Sequence, residues 1–129
     1  MADPAKMIEA VHAYVAAFAC ADAERIVALF ADDATVEDPV GTAPLRGTDA
    51  IRTFYRRAVG LHIRLALDGP IRLTDDHAAF PFSIRLRRAD GWRMIDAIDT
   101  FRFDGANRIV EMRAFWGAAN ERAIAENQA

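Results

Sequence analysis

Two aspartates and two tyrosines carry the proton chemistry open to this chain. Asp99 lies in a stretch where every second residue reads Arg93, Ile95, Ala97, Asp99, Phe101, Phe103. Alternate residues of a strand share a face, so four of the five partners of Asp99 are apolar and its carboxyl points at apparent core. Burying an unpaired carboxylate is costly; the usual outcome is a raised pKa and a neutral acid that donates a hydrogen bond. The same pattern also accommodates an outward-facing acid, or one paired with an arginine. Tyr14 follows Met7 by seven residues and precedes Phe18 by four, on one apolar helical stripe. A buried tyrosine hydroxyl needs a partner, either a backbone carbonyl or a ligand oxygen. Tyr55, the only other tyrosine, has the same two readings. Asp38 shares an extended face with Val36 and looks inward there, or it is the turn-forming Asp of Asp38-Pro39.

Little other chemistry is available. The chain has one Ser (Ser83), one Cys (Cys20), one Lys (Lys6) and three His (His12, His62, His77). No Gly-x-Ser-x-Gly elbow, Cys-x-x-Cys pair or Walker loop is present. The histidines are fifty and fifteen residues apart, without metal-ligand spacing. Asp32, Asp33, Glu37 and Asp38 lack the calcium-loop pattern. Neither a metal nor another cofactor is therefore expected. With 16 Lys+Arg against 19 Asp+Glu the net charge is −3, which disfavours nucleic acid as a partner. No apolar run is long enough to span a membrane, and Met1-Ala2-Asp3-Pro4 does not read as a signal peptide. A lone cysteine forms no intrachain disulfide, which fits a reducing, cytoplasmic compartment.

The elements that must hold these residues follow from periodicity. Asp3-Pro4 starts a first helix running to about Ala19. Asp22 caps a second, with Ile26, Val27, Leu29 and Phe30 apolar, expected to end in an Asp32-Asp33 loop. Thr48 is expected to cap a third through about Val59, with Ile51, Phe54, Tyr55 and Ala58 inward and Gly60 as its stop. After Gly60 the period becomes two, through Leu61–Leu67, Phe80–Leu86, Trp92–Phe103 and Arg108–Trp116, with Asp90-Gly91 and Asp104–Asn107 as turns. The polar, Ala-rich segment from 117 to 129 is expected to be a fraying helix or disordered. Residues 1–129 thus read as one α+β domain, its helices on one face of a curved sheet that encloses an apolar pocket.

The run Ala31-Asp32-Asp33-Ala34-Thr35-Val36-Glu37-Asp38-Pro39 resembles the signature around the catalytic base of bacterial Δ5-3-ketosteroid isomerases. The likeness continues through Phe54-Tyr55-Arg56, Pro81-Phe82, Asp96–Asp99, Arg102-Phe103-Asp104 and Ala114-Phe115-Trp116. Tyr14 precedes Asp38 by 24 residues and Tyr55 follows it by 17, as in that family. The resemblance implies a cone-shaped fold of three N-terminal helices on a curved antiparallel or mixed sheet, of the nuclear transport factor-like, cystatin-like kind. It makes Asp38 the general base and Tyr14 and Asp99 the oxyanion-hole donors. Tyr55 becomes the partner of Tyr14, and Trp116 and Phe80 pocket-wall positions. With Tyr55, and with Phe54, Phe101 and Met112, which lie on inward or apolar faces, they are the expected substrate-binding residues. One departure stands out: some members carry a further tyrosine in the second helix where this chain has Phe30.

The implied reaction moves a steroid C5–C6 double bond into conjugation with a C3 ketone, without cofactor, in a homodimer. Other activities on the same scaffold remain open, since fold does not fix function. Dehydratases there use paired histidines and epoxide hydrolases an Asp-Arg-Asp relay, neither evident in the sequence. A cyclase with one Asp as base, or a non-catalytic binder of flat hydrophobic ligands, also fits.

Overall fold

The structure, a computed structural model, describes residues 2–129. Asp3 caps helix α1 (Pro4–Ala19): its carboxylate accepts from the Ala5 amide at 3.0 Å, with Pro4 in the first turn. The buried stripe of α1 is Met7, Ala10, Val11, Tyr14, Ala17 and Phe18, so Tyr14 is on the side that packs inward. Asp22 caps α2 (Ala23–Val27) through the Arg25 amide at 3.2 Å.

Here the structure departs from the periodicity. Helix α2 has ended before Phe30, which opens strand β1 (Phe30–Glu37), and Asp32 and Asp33 lie within that strand. Pairing explains the difference. Phe30 is opposite Ile109 and Thr35 opposite Glu111, so five steps along β1 span two on its partner. The excess is a bulge, and it turns Asp32 and Asp33 to solvent while Ala34 and Val36 stay buried. The chain then forms β2 (Leu45–Arg46) and α3 (Thr48–Gly60). Thr48 is the first helical residue rather than the cap; Gly47, at φ 90°, holds that place without a side-chain bond. A glycine suits this backbone, which other residues adopt only with strain. Gly60 is not the stop either: it is still helical, and the reversal falls at His62, φ 53°.

Strands β3 (Arg64–Leu67), β4 (Arg72–Leu73), β5 (His77–Arg88), β6 (Gly91–Phe103) and β7 (Ile109–Phe115) follow. The sheet order is β2-β1-β7-β6-β5-β3, with β4 on β5; all pairs are antiparallel except β1 with β7. The result is an open α+β sheet, not a closed barrel. Its inner face on β6 is Ile95, Ala97, Asp99, Phe101 and Phe103, all buried, as the alternation predicts. On the outer face Ile98 and Phe115 sit opposite each other and are 48% and 41% exposed. Helix α1 packs on β3 and β5, and α3 on β1.

The C-terminal segment is ordered, contrary to expectation. Strand β6 is longer than β7 and projects past it, leaving a free edge. Strand β8 (Glu121–Ala123) fills that edge opposite Arg93–Ile95, between short 3-10 turns at Ala118–Asn120 and Glu126–Gln128. Charge fixes the docking: Arg88 and Arg93 both donate to Glu121 at 3.0 Å, and Arg122 donates to Asp96.

Candidate active site

Asp99 is held at the centre of the sheet, with Phe80 of β5 on one side and Ala114 of β7 on the other. It is 1% exposed, and its Oδ1 has no hydrogen-bond partner. No cation is near enough to hold it ionised. Burial is the main cause pushing its pKa far above the carboxylate range, with the nearby Asp38 charge acting in the same direction. Burial therefore favours the protonated acid, which has an O–H to donate.

Tyr14 reaches the same cavity from α1. Its hydroxyl shares a 3.0 Å hydrogen bond with that of Tyr55 from α3, in which either can donate. Both tyrosines are buried, and burial holds both phenols well above their usual pKa. The pair ends there. Phe30 packs on the Tyr55 ring at 5.7 Å and offers no third hydroxyl. Phe101 packs on Tyr14 edge-to-face at 5.2 Å and Phe80 on Phe101 at 5.1 Å, fixing the tyrosine ring from below.

Asp38 approaches at the end of β1. Its neighbours along the strand differ from those a run of local acids suggests. Glu37 turns to the other side, where it accepts from Arg113 at 2.9 Å, and Asp38 faces Phe54 and Trp116. The Trp116 indole N–H donates to Asp38 Oδ1 at 2.7 Å. Burial raises the Asp38 pKa and the indole bond partly opposes it. Asp38 is thus less strongly shifted than Asp99, because it is less completely buried and because the indole donates to it.

These residues surround one cleft in two stages. An inner chamber of about 50 Å³ is bounded by Tyr14, Tyr55, Asp99, Asp38, Phe54 and Phe82. An outer apolar cleft of about 280 Å³ continues past Asp38 between Phe54, Ile63, Ile84 and Trp116 to the surface at Leu61. Of the positions singled out in the sequence, Tyr14, Asp38, Phe54, Tyr55, Asp99 and Trp116 line this cleft. Phe80, Phe101 and Met112 do not; they lie in the core, each at most 1% exposed. Wall positions not picked out are Phe82 and Ile84 of β5 and Ile63 and Leu65 beyond α3. Their signal was in the alternation of those two strands, where Phe82 and Ile84 share the inward face with Phe80. Among the described residues no cluster of His, Cys, Asp and Glu could hold a metal ion, and no helix is long and apolar enough to cross a membrane.

Residues 11–112 match the profile of the SnoaL-like domain family. The chain is 38% identical over 112 residues to the Steroid Delta-isomerase of Nocardioides simplex, an alignment covering 87% of this chain and 90% of that protein. Among solved structures it superposes on the epoxide hydrolase/cyclase-like enzyme SalBIII, described in pyran ring formation in the polyether salinomycin. That match has a TM-score of 0.89 and 25% identity, covering 96% of this chain and all of the other. On the family match and the length and identity of the isomerase alignment, the chain belongs to the SnoaL-like family, on its ketosteroid isomerase-like side, and is an enzyme of the isomerase class.

Proposed function

We propose that the protein converts 3-oxo-Δ5-steroids into conjugated 3-oxo-Δ4-steroids by intramolecular proton transfer. The observation that carries this reading is the buried, unpartnered Asp99 oxygen, which shares a chamber with the Tyr14 hydroxyl and the Asp38 carboxylate. An unsatisfied buried polar group costs about 1–3 kcal/mol. A ligand oxygen placed between Asp99 and Tyr14 would relieve that cost.

In this reading Asp38 removes a proton from C4 of the bound ketone, and the electron pair moves into the ring as a dienolate. The C3 oxygen gains the negative charge, where Tyr14 and Asp99 donate hydrogen bonds that strengthen as charge develops. Asp38 then returns the proton to C6 and the double bond settles between C4 and C5. No atom is gained or lost, and no oxidant or reductant is needed. Tyr55 holds the Tyr14 hydroxyl in place. Trp116 steadies Asp38 and, with Phe54, Ile63 and Ile84, supplies apolar walls for a flat ring system.

The likeness to SalBIII favours a second reading, in which protonated Asp99 and ionised Asp38 act as acid and base in a cyclisation. An Asp-Arg-Asp relay is not assembled for it, since no arginine bonds to either carboxylate or is among the causes of its pKa shift. The test is to mix purified protein with a 3-oxo-Δ5-steroid and follow ultraviolet absorbance. Enone absorbance growing at a rate proportional to enzyme, without added cofactor, is the expected result. Steroid binding with no enone formed would make the protein a binder and reject isomerisation.

A further inference from the structure

Helix α3 carries three arginines near the cleft, and they are not equivalent. Arg52 donates to Glu24 and Asp49, and Arg56 lies 3.6 Å from Glu24. Arg57, the next residue, has no carboxylate partner and no side-chain hydrogen bond among the described residues, although it stands on the side of α3 that lines the cleft with Phe54, Ala58 and Leu61. It also lines a second cavity of about 450 Å³ on the other side of Asp38, with Thr42, Leu45 and Thr53. Arg57 is therefore an exposed, uncompensated guanidinium where two ligand-sized spaces meet. A second cation lies across the outer cleft. Arg88 donates twice to Glu121 at 3.0 Å, but that carboxylate is shared with Arg93, which also reaches Asp90 at 4.0 Å.

The order of groups along the cleft gives this cation a meaning. Tyr14 and Asp99 border only the inner chamber, Asp38 borders all three spaces, and Arg57 borders only the two outer ones. From inside outward the sequence is hydrogen-bond donors, then base, then cation, joined by apolar walls. A molecule whose ketone oxygen sits on the donors and whose acidic carbon lies at Asp38 must send its far end towards Arg57. Arg57 does not serve Asp38: the Asp38 pKa responds to burial and to Trp116, with no contribution from a cation. Guanidinium pairs with carboxylate through two parallel N–H bonds, and an apolar channel ending in an unpaired guanidinium is complementary to a flat apolar body with a terminal carboxylate.

We propose that the substrate is a 3-ketosteroid carrying a carboxylate at the end remote from the ketone, and that Arg57 determines this specificity. The proposal rests on the isomerase reading and adds the substrate class to it. The test compares two probes that differ only in charge: a 3-oxo-Δ5-steroid bearing a carboxylic acid on its D-ring side chain, and the corresponding primary amide. The expected kcat/KM ratio favours the acid by about 2- to 5-fold at low ionic strength, the range of an ion pair at an exposed site. It falls as salt is raised, and falls towards unity in Arg57→Gln. The difference is carried in KM, because the pair forms far from the reacting carbons. Arg57→Lys restores part of the preference by charge alone. Equal kcat/KM for acid and amide, or a preference that survives Arg57→Gln, overturns the proposal while leaving the isomerase standing. Turnover of neither probe by folded protein rejects the isomerase reading itself.

Discussion

Asp38 and Asp99 open onto one cavity from two regions built to opposite rules. Around Asp99 the walls are buried and apolar: two tyrosines, the Phe101 and Phe80 rings beneath Tyr14, and an aspartate whose Oδ1 has no partner. Desolvation there favours the protonated acid, the form that can donate. Around Asp38 the chain is at a strand end, half-buried, with one indole N–H aimed at the carboxylate and an open cleft beside it. Desolvation raises its pKa too, but the indole offsets part of the rise. In the proposed mechanism two residues of one type take opposite proton roles because one is wholly desolvated without a donor, whereas the other is only partly desolvated and has one.

Removing the base breaks this comparison most completely. Asp38→Asn keeps the shape and can still accept the indole hydrogen bond, but it cannot take up a proton. A fall of roughly 10²–10⁴-fold in kcat is expected, with steroid affinity retained. Retention of most of the rate would remove Asp38 from its proposed role.

At the other end, Asp99→Ala removes one of two donors, with an expected loss of about 2.7–4 kcal/mol of transition-state stabilisation, or 10²–10³-fold in kcat. Stability responds in the opposite sense and depends on pH. In the unfolded chain Asp99 ionises near the ordinary carboxylate pKa, whereas in the folded protein it stays protonated well above that. Between those two pH values the native state binds the extra proton, so folding stability falls as pH rises, by at most about 1.4 kcal/mol per pH unit from this group. Asp99→Asn stays neutral at every pH and escapes this loss. Its melting temperature relative to the parent should climb as pH is raised from 4 to 8. A flat difference over that range would mean that Asp99 is not held protonated.

The two regions also differed in how far the sequence disclosed them. Asp99 was legible because a 13-residue strand with strict alternation assigns a face to every side chain, and an acid on an apolar face stands out. Tyr14 was legible for the same reason on a helical stripe. The surroundings of Asp38 were not. Its donor is 78 residues away and reaches it only through the parallel pairing of β1 with β7, which no local period records. Local chemistry pointed the other way: a loop was expected at Asp32-Asp33, but both lie in β1, where the bulge sends them to solvent, and Arg113 draws Glu37 aside. The order of the C-terminal segment was hidden likewise, because it depends on a free edge of β6 and on arginines from two other segments. Family likeness placed Asp38, Tyr14 and Trp116, whereas Arg57 emerged only when its two neighbouring arginines on α3 were seen to be paired.

The smallest change sharpens the comparison most finely. Trp116→Phe keeps an aromatic wall and removes the one N–H that favours ionised Asp38, making its surroundings more like those of Asp99. With desolvation left unopposed, the Asp38 pKa must rise. The base is active only when ionised, so the acidic limb of the kcat/KM profile should move to higher pH in Trp116→Phe. Activity at low pH should drop more than activity on the plateau. On the plateau a more basic carboxylate accepts a proton more readily, which offsets part of what a less firmly held side chain loses. An acidic limb that stayed in place while the plateau fell would assign Trp116 to the wall alone and leave the acidity of Asp38 to burial.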